Sequence, residues 1–422
     1  MKSKKYLLYE NERGDAVDIS PNTYIDRYFK GNVTNQNKVL QPLPITWLEI
    51  DLSQLKKNYR KIVKHVGPGV GVISVIKANA YGHGLIPIAK TLEGLKTCKI
   101  GLASIEEVQL IKNNKIKTPT ILLYPPLDTQ LELLLDLNTE ITMNNIKSML
   151  LLNKLAKNKK KIAKIHIQIN TGLNRYGVNT KESIKFIISA SKLENIKIEG
   201  IWTHFTNTDN NKSLTKIQFN KFLKILKQVS VEKINIPYIH CANSAAISDF
   251  KESYDNNIFA KIIPSAKVLV RPGCLLYGTF KANKKNDFFT HPIISSMISH
   301  VTDVTEVEKG SSIGYFEKYF SQKRLKIATV PVGWGNTGYI CNNAIVLLNN
   351  RYSKSIGVVS SNNLSIDITS IKNCKIGTKI FLIKKYNKKI SLESVSRKNN
   401  MFLNYFISSL GSKVKKVYFS TD

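Results

Sequence analysis

The sequence predicts an α/β fold in which an N-terminal barrel of eight strand–helix units precedes an all-β domain. Short apolar runs recur with polar, helix-like stretches between them, eight such units fill about 200 residues, and the rhythm changes after about residue 286. Alternating strands and helices with buried strands are typical of parallel pairing, and eight units favour a closed (β/α)8 TIM barrel. An open doubly wound sheet is the alternative, which the regular repeat disfavours.

The eight predicted strands lie at the apolar runs, and polar residues of chemical interest follow them. The runs are 70–78 "VGVISVIKA", 99–105 "KIGLASI", 118–124 "TPTILLY", 139–144 "TEITMN", 163–171 "AKIHIQINT", 197–205 "KIEGIWTHF", 238–246 "YIHCANSAA" and 267–278 "KVLVRPGCLLYG". Candidate site residues at or just after strand ends are Lys77, Arg175, His204, Ser244 and Arg271. Because the carboxyl ends of barrel strands meet at one mouth, these side chains are expected to converge there.

The chain outside the barrel divides into two further regions. Residues 1–44 are polar, end in a proline-containing stretch and are predicted to be an extension or linker. Residues 45–285 are assigned to the barrel domain, and residues 286–422 have the pattern of short strands separated by turns, with few helical stretches before 391–411. The C-terminal region is therefore predicted to be a β-domain, either a barrel or a sandwich.

Composition indicates a soluble cytoplasmic protein. Hydrophobic residues make up 42% of 422 residues, and no apolar run approaches the roughly 20 residues that span a bilayer. The N-terminus is interrupted by charge too early for a secretory signal. The five cysteines are scattered without a C-x-x-C pair, which argues against a disulfide framework and against a metal site. We expect reduced thiols, no metal and no membrane partner.

The net charge of +33 raises the question of nucleic-acid binding. Only eight of the 63 basic residues are arginine, however, and the lysines are spread along the whole chain. Base and phosphate recognition relies on the planar fork of arginine. The pattern favours compositional drift over a nucleic-acid surface, and no specific nucleic-acid partner is expected.

Two of the eight arginines stand in glycine-containing strand ends, "NTGLNRYG" and "VLVRPGCLLYG". This placement suggests sites where a planar, bidentate donor matters, such as recognition of a carboxylate or of a ring nitrogen. Lys77 is equally conspicuous, because it ends an apolar run and is followed at once by "ANAYGHG". A lysine whose ammonium group only has to be solvated would not be expected at the end of an apolar strand, so a reactive amine is the favoured interpretation.

The chain resembles the alanine racemase family from about residue 45 to residue 420. The motifs that carry the resemblance are "VIKANAYGHG", "NTGLNRYG", "GIWTHFTNTD", "HCANSAA", "VRPGCLLYG", "GSSIGYFEKYF", "ATVPVGWGNTGY", "IGVVSSNNLSIDIT" and "SLGSKVKKVYF", in the family's order. The resemblance implies a pyridoxal 5'-phosphate (PLP) enzyme with a barrel and a C-terminal β-domain. It further implies an isomerase that interconverts L- and D-alanine and supplies D-alanine for the peptidoglycan of the cell wall.

The resemblance also implies roles for the residues that move protons and bind the substrate. Lys77 would hold PLP as a Schiff base and act as one base, and Tyr315 would be the second base. Tyr315 would come from another subunit, which implies a head-to-tail homodimer. Arg175 would bind the substrate carboxylate, with Ser361 contributing a backbone N–H.

A second group of residues is implied to bind the cofactor. Arg271 would donate to the pyridine nitrogen, His240 would orient Arg271, and His204 would lie beside the ring. The residues implied to bind the phosphate are Tyr81, Ser244, Gly273 and the backbone of Cys274. Two plainer interpretations stay open: Ser244 as a helix N-cap, and the histidines as ordinary core residues.

Several positions depart from the family pattern, mostly around the substrate. The departures are Gln168 for a lysine, Asn170 for an aspartate, Trp334 for a tyrosine, Ser361-Asn362 for a Met-Asp pair and Asn404 for a tyrosine. Two alternatives to alanine racemisation therefore remain. The chain could be a racemase with shifted specificity, for example for serine, or a PLP-binding protein with eroded catalysis.

Overall fold

A computed structural model of the chain describes residues 5–10, 16–18, 44–280, 288–338 and 344–421. Most of the predicted N-terminal extension and Cys341 lie outside the described residues. The chain forms two compact units. One comprises Leu55–Ala78 and Ile88–His291, and the other combines residues up to Gln54 with Asn79–Pro87 and the chain from Pro292 onward.

The unit made of Leu55–Ala78 and Ile88–His291 is an eight-stranded parallel barrel. In chain order, its strands are Gly71–Val75, Lys99–Leu102, Thr120–Leu122, Glu140–Met143, Ala163–Asn170, Ile196–Trp202, Tyr238–His240 and Lys267–Val270. Each strand pairs in parallel with the next, and the eighth pairs with the first, which closes the ring. The predicted (β/α)8 barrel is confirmed. A further two-residue strand, Val178–Asn179, pairs with the end of the fifth.

Helices alternate with the barrel strands, and each turns an apolar stripe inward. They are Leu52–Val66, Leu85–Gly94, Ile105–Asn113, Leu131–Asp136, Ile146–Asn158, Ser183–Ser191, Lys212–Val231, Ser244–Asp249, Asn256–Ala260 and Cys274–Tyr277. The helix Lys212–Val231 illustrates the pattern, because Phe219, Phe222 and Leu226 recur at helical spacing and are buried. Its first turn is capped by the Asn211 side chain, which accepts a hydrogen bond from the Leu214 N–H.

The other unit is built on an eleven-stranded sheet within the described residues. Along the sheet its strands are Asp303–Val307, Leu325–Val330, Leu364–Asp367, Arg351–Ile356, Ile345–Leu348, Lys379–Lys384, Ile294–His300, Trp47–Asp51, Lys415–Ser420, Lys5–Glu10 and Ala16–Asp18. This sheet confirms the predicted all-β second domain. Its helices are the short Trp334–Thr337 and the pair Leu392–Lys398 and Leu403–Lys413.

One strand differs from the sequence-based division. Trp47–Asp51 lies after residue 45, where the barrel domain was predicted to begin, yet its backbone pairs with Ile294–His300 and Lys415–Ser420 of the sheet. Part of the predicted extension, Lys5–Glu10, pairs with the opposite edge of Lys415–Ser420. Non-local pairing of this kind is invisible to local periodicity. Within the described parts of the chain, no helix is both long and apolar enough to cross a membrane.

Candidate active site

The barrel brings four of the predicted residues close to one another. Lys77 follows the first strand, Arg175 the fifth, His204 the sixth and Arg271 the eighth. Burial, followed by the charges of Arg271, Arg175 and Lys77, lowers the pKa of His204 to about 3. Burial and the nearby Arg175 charge also lower the pKa of Lys77. The mouth is therefore cationic and partly desolvated, which favours an uncharged amine at Lys77 and an uncharged ring at His204.

The chain after Lys77 forms an unusual left-handed turn. Ala78, Asn79, Ala80 and Tyr81 all have φ between 52° and 55°, and Gly82 follows at 83°. Left-handed backbone costs a residue with a Cβ roughly 1–2 kcal/mol, so four in succession must be held by their surroundings. Strain of this kind is characteristic of functional sites. Local sequence patterns do not predict this turn, although the "NAYGHG" stretch supplies the asparagine and glycines that tolerate positive φ.

Arg271 is buried, and its terminal nitrogens are fully engaged. Its Nη1 donates to His240 Nδ1 at 2.9 Å and to the His240 carbonyl at 2.7 Å, while Nη2 donates to the carbonyls of Thr203 and Cys241. The guanidinium also lies 4.8 Å from the Trp202 ring centroid. Among the described residues no carboxylate pairs with Arg271, and its Nε–H has no partner. Burial lowers the pKa of Arg271 to about 10, so it stays charged at neutral pH and keeps one N–H donor available.

The contact expected between His240 and Arg271 is thus present, but the polar contacts continue further. His240 also contacts His166, and His166 contacts Glu140, which pairs with Lys99. None of these last three residues is among the site residues predicted from the sequence. The available signal was the presence of charged and imidazole side chains inside predicted barrel strands, where apolar residues are the norm. In the described chain, no cluster of three or more potential ligands has a geometry suited to a metal ion.

Ser244 links the ends of the seventh and eighth strands. Its Oγ accepts hydrogen bonds from the Gly273 N–H at 3.0 Å and the Leu275 N–H at 3.4 Å. The N-cap interpretation of Ser244 is wrong, because Asn243 caps the helix by accepting from the Ala246 N–H at 3.0 Å. Gly273 is the N-cap of the helix Cys274–Tyr277, which begins at the partly buried Cys274. Ser244 therefore orders the backbone of Gly273 at the position where the family resemblance implies phosphate contacts.

The loop that carries Arg175 is shaped by Asn170. The Asn170 side-chain oxygen accepts from the N–H groups of Gly172 and Asn174, each at 3.1 Å, so the amide organises this turn in place of the family's aspartate. Arg175 itself is exposed and lies over the Tyr176 ring. Gln168 is buried, and its side-chain oxygen has no hydrogen-bond partner in the described chain. No hydrogen bond joins Gln168 to Arg175 there.

The remaining candidates belong to the sheet unit, where two loops bring Trp334 and Ser361 together. The Trp334 N–H donates to the Ser360 carbonyl at 3.2 Å, and the Gly335 N–H donates to the Ser361 carbonyl at 2.7 Å. Asn362 is exposed beside them. The indole of Trp334 is 56% exposed, so this loop pair presents an aromatic surface rather than burying it.

Tyr315 lies on a neighbouring turn of the same unit. A Cβ on Gly357 would lie 2.5 Å from the Ile313 carbonyl oxygen, so glycine permits the close approach of this turn to the segment that leads to Ser361. The side chain of Tyr315 is 61% exposed. Tyr81 and Asn404 are both partly buried, the latter on the helix Leu403–Lys413.

Family models and known proteins match this chain over most of its length. The N-terminal domain model of alanine racemase matches residues 50–280, and the C-terminal domain model matches residues 294–418. An alanine racemase of Halothermothrix orenii is 33% identical over 379 residues, covering 88% of this chain and 96% of the relative. One of Clostridium tetani is 32% identical over 391 residues, covering 90% and 96%.

Solved structures agree with the sequence comparisons. Alanine racemase of Clostridium difficile 630 superposes with a TM-score of 0.81 at 26% identity, covering 90% of this chain and 97% of that one. The fold is shared by alanine racemase of Bartonella henselae with covalently bound pyridoxal phosphate, with a TM-score of 0.74 at 24% identity, covering 89% and 100%. The family is PLP-dependent. The chain belongs to the alanine racemase family, and it is an enzyme that racemises alanine.

Proposed function

We propose that this enzyme interconverts L- and D-alanine at the mouth of its barrel, with PLP bound to Lys77 and with Lys77 and Tyr315 as the two bases. The observation that carries the proposal is the convergence of Lys77, Arg175 and Arg271 around His204. An amine with a lowered pKa, a donor for a ring nitrogen and a donor for a carboxylate are the groups that a PLP-dependent reaction of an amino acid requires.

The residues present fit PLP. The available Nε–H of Arg271 suits a pyridine nitrogen, and because arginine donates without giving up its proton, that nitrogen stays unprotonated. Ser244, Gly273, Cys274 and Tyr81 would bind the phosphate, and His204, kept neutral, would lie beside the ring. When bound, PLP would withdraw electrons from the substrate and so make its Cα proton acidic.

Inversion at Cα requires one base on each face of the substrate. Lys77 Nζ would take or return the proton on one side, and Tyr315 Oη on the other. We infer that Tyr315 belongs to the partner subunit of a head-to-tail homodimer. Support comes from the 61% exposure of Tyr315 and the 56% exposure of Trp334 in the same unit, because large aromatic side chains left uncovered are typical of an interface.

Arg175 would bind the substrate carboxylate, with the backbone N–H of Ser361 as a second donor. A second candidate function, racemisation with preference shifted toward another small amino acid such as serine, is favoured by one observation. Gln168 makes no hydrogen bond with Arg175 in the described chain, so Arg175 is not oriented from that position. The other positions around the substrate that depart from the family pattern are Asn170, Trp334, Asn362 and Asn404.

Three further inferences accompany the proposal. We place the enzyme in the cytoplasm, since Cys98, Cys241, Cys274 and Cys374 are all free thiols. We propose that its D-alanine supplies peptidoglycan, which rests on the family resemblance. The division into residues 1–44, 45–285 and 286–422 is likewise a proposal, supported by the two family models that match on either side of residues 281–293, with the sheet strand Trp47–Asp51 as its exception.

The experiment compares the wild-type protein with Lys77→Ala and with Lys64→Ala, an exposed lysine on the same unit. Each is purified with PLP, its absorbance is recorded, and D-alanine formation from L-alanine is measured. The expected result is a bound-cofactor band and racemisation in the wild type and Lys64→Ala, with both lost in Lys77→Ala. Racemisation of serine faster than alanine would favour the second candidate, and a wild-type band that persists in Lys77→Ala would refute the role of Lys77.

A further inference from the structure

A buried row of hydrogen bonds runs through the barrel interior from one end to the other. Arg271 Nη1 lies 2.9 Å from His240 Nδ1, His240 Nε2 lies 3.0 Å from His166 Nδ1, and His166 Nε2 lies 2.7 Å from Glu140 Oε2. The other oxygen of Glu140 accepts from Lys99. All five side chains are buried, with at most 6% of each residue exposed. We call these five residues the buried relay.

The buried relay follows the strand direction. Lys99 and Glu140 are the first residues of the second and fourth strands, and His166 lies inside the fifth. His240 is the last residue of the seventh strand, and Arg271 comes directly after the eighth. The relay therefore connects the amino-terminal ends of the strands with the mouth, where Lys77 and Arg175 lie.

The chemistry of the end groups fixes every proton in between. Arginine can only donate, so His240 Nδ1 must accept, and a neutral His240 then carries its proton on Nε2. That proton faces His166 Nδ1, which must accept in turn, so the proton of His166 lies on Nε2 and is donated to Glu140. Glu140 can accept from both His166 and Lys99 because it is a carboxylate. Only one arrangement satisfies all four contacts.

The electrostatics and the packing around these groups agree with this arrangement. Burial and the charge of Arg271 lower the pKa of His240 well below its usual value, which keeps the ring neutral. Burial alone would raise the pKa of Glu140, but His166 and Lys99 outweigh it and lower the pKa to about 2, which keeps the carboxylate charged. Gly200 leaves room for the His166 ring, since a Cβ there would lie 2.5 Å from Nδ1.

We propose that Glu140 is a positioning residue that acts on Arg271 through two histidines. Its carboxylate sets the tautomers of His166 and His240, so that His240 offers a lone pair to Arg271 and holds the guanidinium in one orientation. Nε–H is then left for the bound cofactor. Only this last consequence rests on the proposed function, because the tautomers can be measured without cofactor or substrate.

The first measurement is the tautomer of each histidine in protein labelled with ¹⁵N-histidine, with and without PLP. The chain has seven histidines, and His166→Asn and His240→Asn variants assign the two signals. We expect both rings to be neutral with the proton on Nε2. A proton on Nδ1 of either ring, or a doubly protonated His240, would overturn the proposal whether or not the protein racemises alanine.

The second measurement uses Glu140→Gln, which keeps the size of the side chain and replaces one acceptor oxygen by an NH₂ donor. The substitution therefore reverses the direction of the hydrogen bonds in the buried relay. Lys99 can only donate, so it holds the amide oxygen and turns the amide NH₂ toward His166. Both rings must then exchange their protons, and His240 Nδ1–H would face the N–H of Arg271. We expect the tautomer signals to reverse and kcat to fall about 10- to 100-fold, by analogy with the range found for residues that orient metal ligands. KM should change less than kcat.

The decisive variant adds Lys99→Met to Glu140→Gln. Without the ammonium, the amide is free to turn its oxygen toward His166, so the original tautomers and most of the kcat should return. A purely structural role predicts the opposite, since the double variant removes more of the buried pair than the single one. Glu132→Gln, which breaks an exposed pair with Lys159, serves as the control and should change neither readout. Unchanged tautomers in Glu140→Gln, or a double variant worse than the single, would refute the proposal.

Discussion

Replacing Gly200 by alanine would test how tightly the barrel interior holds His166. The new Cβ would lie 2.5 Å from His166 Nδ1, 2.8 Å from its Cε1 and 2.9 Å from the Tyr238 carbonyl oxygen. The ring is fully buried and its Nε2 is bonded to Glu140, so it can recede only by breaking that contact or the one to His240. Two unfavourable effects therefore add in this variant.

The magnitude follows from these two effects. Overpacking of a well-packed core costs about 1–3 kcal/mol. Leaving a buried donor or acceptor without its partner costs about 1–3 kcal/mol more. We expect Gly200→Ala to lower the free energy of unfolding by about 3 kcal/mol, and the tautomer signals of His166 and His240 to change.

The assay is urea unfolding followed by tryptophan fluorescence, with Gly94→Ala as the matched control. A Cβ on Gly94 meets nothing within 4 Å, and Gly94 ends a helix of the same unit, so alanine there should be neutral or slightly stabilising. If Gly200→Ala proved as stable as Gly94→Ala with unchanged tautomers, the barrel interior would accommodate the added methyl group without moving His166. That result would refute the tight packing inferred around His166.

Three further predictions concern single groups. Because the pKa of Glu140 falls from an ordinary 4.5 to about 2 on folding, the folded protein should lose about 3 kcal/mol of stability as the pH falls from 4.5 to 2. Urea unfolding at a series of acidic pH values measures this loss, which should be absent in Glu140→Gln. Lys77 of the protein without cofactor should react with an amine-specific reagent with a midpoint below pH 10.5, because burial and the nearby charge of Arg175 lower its pKa. Peptide mapping of modified Lys77 against pH measures the midpoint, and a midpoint at or above 10.5 would contradict the prediction. Ser244→Ala should weaken PLP binding about tenfold, because the Gly273 and Leu275 N–H groups lose their shared acceptor. A PLP titration followed by absorbance measures the affinity, and an unchanged affinity would contradict the role of this hydroxyl.

The barrel could be predicted because its signal is local. Each of the eight apolar runs overlaps an observed strand, since burial on both faces leaves a continuous apolar pattern in the sequence itself. The run at 267–278 shows the limit of this reasoning. Its strand ends at Val270, where the buried Arg271 begins the polar contacts of the mouth and a short helix then starts at Cys274.

The left-handed turn at Ala78–Tyr81 and the buried relay could not be predicted in this way. The turn depends on surroundings that hold four residues at positive φ, which no propensity favours. The relay depends on strand register: Thr142 pairs with His166, and this stagger decides that Glu140, two residues earlier, reaches the imidazole. Register in a barrel is a property of the closed sheet, so the sequence reveals the polar residues without revealing that they meet.

The position of Glu140 explains how an arginine can be held firmly without being neutralised at the site. A carboxylate in direct contact with Arg271 would accept its N–H groups in a bidentate pair and occupy the donors that a ring nitrogen needs. Two neutral imidazoles between the charges transmit the direction of hydrogen bonding, while the carbonyl oxygens of Thr203 and Cys241 accept from Nη2 and leave Nε–H available. Replacing a buried ion pair by apolar side chains of similar volume is often neutral for stability, so the choice of Lys99 and Glu140 at these positions is better explained by what they orient. Orientation of Arg271 from the far end of the barrel thus leaves the mouth free for the cofactor and its substrate.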